Sequence, residues 1–161
     1  MKRRLGVAAV YTSANAGEEG GENGSAKGSF VCEGFFKDVD AALCVHPSQR
    51  GHELTGKSLA CAPVDIEFHG RASHAASAPE KGINALDALI QVYNSINALR
   101  QHLTPDVRIH GIITNGGTAP NVVPDYAAAK FYLRAATVPT LDEVKRKVAA
   151  IVEGAALATG A

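Results

Sequence analysis

With 161 residues, 46% hydrophobic and 20% charged, the chain can bury a real core as one domain or two small ones. Lysine plus arginine and aspartate plus glutamate both number 16, and a zero formal charge argues against a nucleic-acid groove or a membrane-binding face. No run approaches the roughly 20 apolar residues of a membrane helix. Lys2-Arg3-Arg4 and the apolar residues after it only imitate a signal peptide, because the run is too short and no small-residue cleavage site follows. The odd set Cys32, Cys44 and Cys61 lacks metal-motif spacing and reads as reduced, half-buried thiols of a cytoplasmic protein.

In chain order, Leu5–Tyr11 is an apolar run that predicts a buried parallel strand. A glycine-rich stretch, 17–24, follows and puts Glu18 and Glu19 just past a strand's carboxyl end, where open α/β sheets place ligands. Ser25 is placed to cap a helix to about Phe36, with Phe30, Val31 and Phe35 on its inner face. Val39–Val45 reads as a second buried strand ending at His46-Pro47, which completes a βαβ unit or part of one.

Composition changes near Gly56, giving an expected division into 1–56 and 57–161. Leu59–Phe68 alternates as a strand with Val64, Ile66 and Phe68 on one face. From Gly82 to Leu103, Ile83, Leu86, Ile90, Tyr93, Ile96, Leu99 and Leu103 recur at helical spacing. Val107–Thr114 and Tyr126–Leu133 read as strands around a Gly-Gly and proline-rich loop. Thr140-Leu-Asp-Glu143 fits a capping box opening a helix through Val144, Val148, Ile151 and Val152. The second part is therefore β-α-β-β-α, a split βαβ, ferredoxin-like sandwich without its last strand.

Two adjacent carboxylates in a glycine loop are either solvated or hold something positive. Glu18 and Glu19 point to opposite sides of an extended backbone, so one can ligate a metal while the other faces substrate. His46, 27 residues after Glu19, is expected at the same sheet edge. Together they offer one proton carrier and two ligands, the minimum of a hydrolytic metal centre. Taken alone, an acidic turn and a strand-end histidine fit an ordinary surface equally well. Glycine loops also bind phosphate, but two carboxylates in this one would repel it.

Two later segments tilt that balance: Gly70-Arg-Ala-Ser-His-Ala-Ala-Ser-Ala-Pro79 and Asn115-Gly-Gly-Thr-Ala-Pro-Asn-Val-Val-Pro124. With Glu18-Glu19 and His46, in this order, the chain resembles the zinc-dependent aminoacylase/carboxypeptidase family of metallopeptidases. The likeness is greatest to its amidohydrolase branch, which includes aminobenzoyl-glutamate hydrolases and hydrolases of amino-acid conjugates. It runs from about Leu5 to the C-terminus. The loop before the glutamates departs from the family, reading Ala14-Asn15-Ala16-Gly17 where a proline is usual.

The resemblance implies an α/β catalytic domain, present in part over 1–56, followed by a lid and dimerisation domain over 57–161. It makes Glu18 the general base, Glu19 and His46 metal ligands, and His74 a lid histidine that steadies an oxyanion, in many members in the partner subunit's site. Asn121 becomes a lid asparagine on the substrate, and Arg134 a clamp for a substrate carboxylate. Without the resemblance, His74 fits a capping or surface histidine, Asn121 a turn residue and Arg134 a solvated strand end. His52 and His69 read as structural, and His110 as packing.

The implied cofactor is a divalent metal, zinc first, with manganese or cobalt as alternatives. Two ligands fall short of the three a catalytic zinc normally has. The family's remaining ligands would precede Met1 and follow Ala161, so the chain reads as a central fragment, inactive by itself. The expected chemistry is hydrolysis of an N-acyl amino acid or aminobenzoyl-glutamate-type amide by a homodimer. The competing reading is an isolated dimerisation module without catalysis.

Overall fold

The computed structural model describes residues 30–41 and 59–161. The chain divides into two compact units, Met1–Thr55 and Gly56–Ala161.

In the first unit, a helical turn ends at Cys32. Gly34, at φ 80°, donates to the Val31 carbonyl at 3.1 Å, and Phe35 donates to that of Phe30 at 3.0 Å. The Phe30 and Phe35 rings meet edge to face, 5.6 Å apart. This is a Schellman ending with its apolar clasp, and only a residue at ease in the left-handed region closes it cheaply. The helix therefore stops short of the expected Phe36. Val31 and Phe35 are 63% and 69% exposed rather than on an inner face, and Cys32 is exposed rather than half-buried. Residues 39–41 are not in a strand, against expectation. The rest of that strand, with Leu5–Tyr11, Glu18, Glu19, Cys44 and His46, lies outside the described residues.

The second unit follows the expected β-α-β-β-α order. Strand β1 spans Ala60–His69, helix α1 Ala85–Leu99, β2 Arg108–Asn115, β3 Tyr126–Ala135 and α2 Val138–Thr159. The sheet is antiparallel in the order β1-β3-β2, from Ala60 opposite Ala135 to His69 opposite Tyr126 on one side of β3. On the other side, Arg108 faces Arg134, and an irregularity between Ile113 and Asn115 ends the regular ladder. Pro63 sits in β1, an edge strand among the described residues, where a missing N–H is tolerated.

Alternation sets the core. Ile66 and Phe68 of β1 and Ala127, Ala129, Phe131, Leu133 and Ala135 of β3 are buried on one face, against both helices. The opposite face carries Asp65, Glu67, His69 and Lys130, all exposed. Burying a side chain such as Ile66 or Phe68 stabilises by about 1.5–3 kcal/mol.

Three helix details differ from the sequence reading. Helix α1 starts at Ala85, capped by Asn84, and passes after Leu99 into a 3₁₀ turn over Arg100–His102. Its buried stripe is Ala85, Ala88, Leu89, Val92 and Ile96, whereas Ile90 is 40% exposed. Large residues alone misplace this stripe, because alanines against the sheet let the helix approach closely. Helix α2 is capped by Thr137 and not Thr140: the Thr137 hydroxyl accepts from the Thr140 N–H at 3.3 Å. Pro139 lies in the first turn, where its absent N–H costs nothing, so the helix opens one turn early.

Asp106 ties the entry of β2 to the joint between β3 and α2. Its carboxylate accepts the Ala136 N–H at 2.8 Å, and that bond, with the Thr104 hydroxyl, holds its pKa below the ordinary value. A lowered folded pKa contributes stability above the unfolded pKa that is lost as pH falls through the folded one. Thermal midpoints of wild type and Asp106→Asn should therefore differ at pH 7 and converge as pH falls from about 4. A constant gap down to the acid limit would show that the charge on Asp106 is not what matters.

Candidate functional site

Two loops at one end of the sheet are stitched together by their backbones. One leads from β1 to α1 and the other from β2 to β3. Gly70 donates to the Asp125 carbonyl at 2.8 Å, Val123 to Ser73 at 3.0 Å, Ala75 to Asn121 at 3.0 Å and Ala85 to Pro124 at 2.9 Å. The first loop also closes on itself, with Arg71 and Ile83 exchanging both backbone bonds at 2.9 Å. The Arg71 side chain adds a bond to the Lys81 carbonyl at 2.6 Å. Gly70 is where this fold-back is tightest: a Cβ there would stand 2.0 Å from the Ile83 oxygen.

This stitching brings His74 and Asn121 together. His74 forms an isolated antiparallel bridge with Val122, and the Asn121 carbonyl holds the next residue, Ala75. Both side chains are exposed. His74 also caps its own turn. Its Nδ1 accepts the N–H groups of Ala76 and Ser77, each at 3.2 Å, while its carbonyl accepts from Ala78 at 3.0 Å. His74 thus caps a turn rather than a helix, and these bonds leave its Nε2 outside them.

Beside Asn121 lies an open cleft of about 440 Å³, lined by Asn84, Leu86, Gly116, Gly117, Pro120 and Val122. Two asparagines shape its walls. Asn84 Oδ1 caps α1 through Leu86 and Asp87, and Asn115 Oδ1 takes the Gly117 N–H at 2.9 Å. The Ser73 hydroxyl is buried without a hydrogen-bond partner.

Arg134 stands elsewhere. It is the penultimate residue of β3, eight positions beyond Tyr126, or about 27 Å at the strand rise. Its register neighbours are Cys61 and Arg108, and its guanidinium lies 5.6 Å from the centre of the Tyr132 ring. Within one chain it does not join His74 and Asn121. His110 is exposed and stacks on Tyr132 at 5.8 Å, so its packing is with the open face of the sheet and not the core. His69 pairs with the Tyr126 ring at 5.3 Å and lies 3.9 Å from Glu67.

Glu18, Glu19 and His46, the expected base and ligands, lie outside the described residues. Among the described residues no three His, Cys, Asp or Glu side chains come together as a metal site, and no helix is long and apolar enough to cross a membrane. Sequence reasoning overlooked Gly70 and Arg71, although they open the quoted motif. The signal was a glycine and a long donor immediately after a strand.

The chain has clear relatives. It is 38% identical over 139 residues to the Xaa-Arg dipeptidase of Mus musculus, covering 86% of this chain and 32% of the relative. To a p-aminobenzoyl-glutamate hydrolase subunit of Escherichia coli it is 40% identical over 141 residues, covering 87% and 29%. Among solved structures, the aminobenzoyl-glutamate utilization protein of Klebsiella pneumoniae matches with a TM-score of 0.56 and 29% identity, over 63% of this chain and 26% of that one. The chain thus spans about a third of the length of the curated relatives it matches. Residues 61–159 match the M20 peptidase dimerisation domain, which covers both loops, and the chain belongs to that family.

Proposed function

We propose that this chain is the central part of a metal-dependent amidohydrolase that cleaves an amide next to a free carboxylate, as in N-acyl amino acids or aminobenzoyl-glutamate. One observation carries the reading: hydrogen bonds between the two loops bring the backbones of His74 and Asn121 together, with both residues exposed, in a chain similar to a p-aminobenzoyl-glutamate hydrolase. Residues 1–56 then belong to the catalytic domain and 57–161 to the lid.

Glu19 and His46, a carboxylate and an imidazole, form a donor pair suited to zinc, with manganese or cobalt also compatible. The ion, when bound, supplies a polarised water and a Lewis acid for the amide carbonyl. Glu18 takes the proton from the attacking water and passes it to the leaving amine. His74 Nε2 donates to the oxygen on which negative charge grows, and Asn121 orients the substrate beside it. Arg134, distant within one chain, is assigned to a substrate carboxylate in a dimer, where a second copy can bring it to a different site.

The homodimer forms through the edge of β2 and the flank of α1. Ile112 and Ile113 on that strand are 64% and 45% exposed, and Ile90 on the helix adds to them. An exposed apolar edge strand is otherwise an aggregation hazard, and pairing with a second copy removes it. The open edge of β1 borders a mainly apolar groove of about 570 Å³ lined by Val64, Ile66, Val148 and Val152. A fourth strand, the last of the split βαβ, belongs there. The cytoplasm suits a chain with reduced thiols.

The test is amide cleavage of aminobenzoyl-glutamate with added zinc or manganese. The 161-residue chain should show no turnover, while sedimenting as a dimer at high micromolar concentration. Restoring the flanking segments should give turnover that Glu18→Gln abolishes, and should protect the β1 amides from exchange. Activity in the restored protein that survives Glu18→Gln would overturn the assignment of the base. Turnover by the 161-residue chain alone would overturn the need for further ligands. A strict monomer would overturn the interface.

A further inference from the structure

We infer that His74 is held as its Nε2–H tautomer by the backbone of its own turn, which makes the Ala76 and Ser77 amides the positioning groups of the oxyanion donor. This rests on the proposed donor role of His74 and says how that donor is prepared.

A neutral imidazole carries one ring proton, so one nitrogen donates and the other accepts. Two backbone N–H groups converge on His74 Nδ1, each at 3.2 Å. They leave no room for a proton on that atom, because N–H cannot donate to N–H. The ring proton therefore resides on Nε2, the atom turned away from the turn. Histidines in catalytic sites are commonly fixed by a carboxylate or carbonyl on the second nitrogen. Here, among the described residues, no carboxylate bonds the ring, and the turn takes over that task.

The arrangement is rigid on both sides of the ring. Ahead of it, the Ala78 N–H closes the turn on the His74 carbonyl at 3.0 Å. Behind it, the bridge from His74 to Val122 and the bond from Ala75 to Asn121 fasten the backbone to the neighbouring loop. Small residues at 75–78 keep the turn tight, and the amides come from the residues two and three positions on, as in a side-chain helix cap. A donor prepared in this way needs no rearrangement when an oxyanion forms.

The experiment is nitrogen-15 NMR of the histidine rings in the 161-residue chain, read on the neutral ring, with the same chain in urea as internal reference. Losing two net hydrogen bonds corresponds to a change on the order of tenfold in the tautomer ratio. The Nδ1–H form of His74 should thus be about tenfold scarcer in the folded chain than in urea. Ala76→Pro and Ser77→Pro each delete one of the two donors, because proline carries no backbone N–H. At least one should move the ratio toward its urea value while the amide spectrum of the sheet stays unchanged. A folded-state ratio equal to that in urea overturns the inference, and so does a ratio unmoved in both variants. Neither result touches the oxyanion role itself, which rises or falls with the turnover of His74 variants in the parent enzyme.

Discussion

Leu89→Ala is expected to destabilise the chain by about 2–5 kcal/mol, the range for truncating a fully buried leucine. Leu89 is wholly buried, between Ala88 and Val92 on the stripe that α1 turns to the sheet. A loss of that size is a large fraction of the roughly 5–15 kcal/mol that holds a domain together. For a domain of this size it lowers the melting temperature by on the order of 10–20 °C. Ile90→Ala, one position on, removes a similar volume from a side chain that is 40% exposed and should cost less than half as much. Urea unfolding of both variants, at a protein concentration low enough to keep the chain monomeric, checks this, because Ile90 also lies in the proposed dimer contact. Equal losses would mean that α1 is rotated from the face described.

The second large effect concerns the turnover proposed for the longer protein, with flanking segments in place. His74→Ala should lower kcat by about 10²–10³, the usual consequence of deleting one oxyanion donor, with KM little changed. Because His74 also caps its turn, alanine alone would not separate the two roles. His74→Asn does. Its Oδ1 can accept the Ala76 and Ser77 amides as an asparagine cap, but it offers no Nε2–H at the outer side of the ring. Both variants should therefore be equally slow, with unchanged metal content and an intact dimer. Recovery of kcat by His74→Asn would show that the histidine matters for the turn and not for the oxyanion.

The second unit was legible because its signals are local. Alternation of Val64, Ile66 and Phe68, and the helical spacing around Val144 and Val148, depend only on near neighbours, and each segment appears where the pattern placed it. The misreadings came where a small residue decided the outcome. Ala85 and Ala88 set the buried stripe of α1 because they lack bulk, which a search for large apolar residues passes over. Gly34 ended a helix through its left-handed φ, and Thr137 won the cap from Thr140 because Pro139 favours the first turn.

The geometry of the candidate site was legible in part. The likeness of the 70–79 and 115–124 segments marked His74 and Asn121, and the hydrogen bonds between and within those loops explain why they meet. Spacing along one chain gave no way to see that Arg134 lies at the far end of β3, since distance in a sheet depends on which strands pair and in what register.

That register has a consequence for how the chain acquires its shape. Strands β2 and β3 are separated by a ten-residue loop, 116–125, and can zip as a hairpin within microseconds of closing it. Strand β1 has no such shortcut, because His69 must find Tyr126 and Ala60 must find Ala135, across α1 and the whole hairpin. During synthesis β1 leaves the ribosome first and waits for a partner not yet made, with Ile66 and Phe68 bare to solvent. A strand that waits in that state is prone to join an identical strand of another chain. Its exposed side carries Asp65 and Glu67, both acidic, so two unpaired copies repel each other when their like faces meet. The same two carboxylates lie opposite Lys130 and Ala128 once β3 arrives, and the repulsion disappears with the correct pairing.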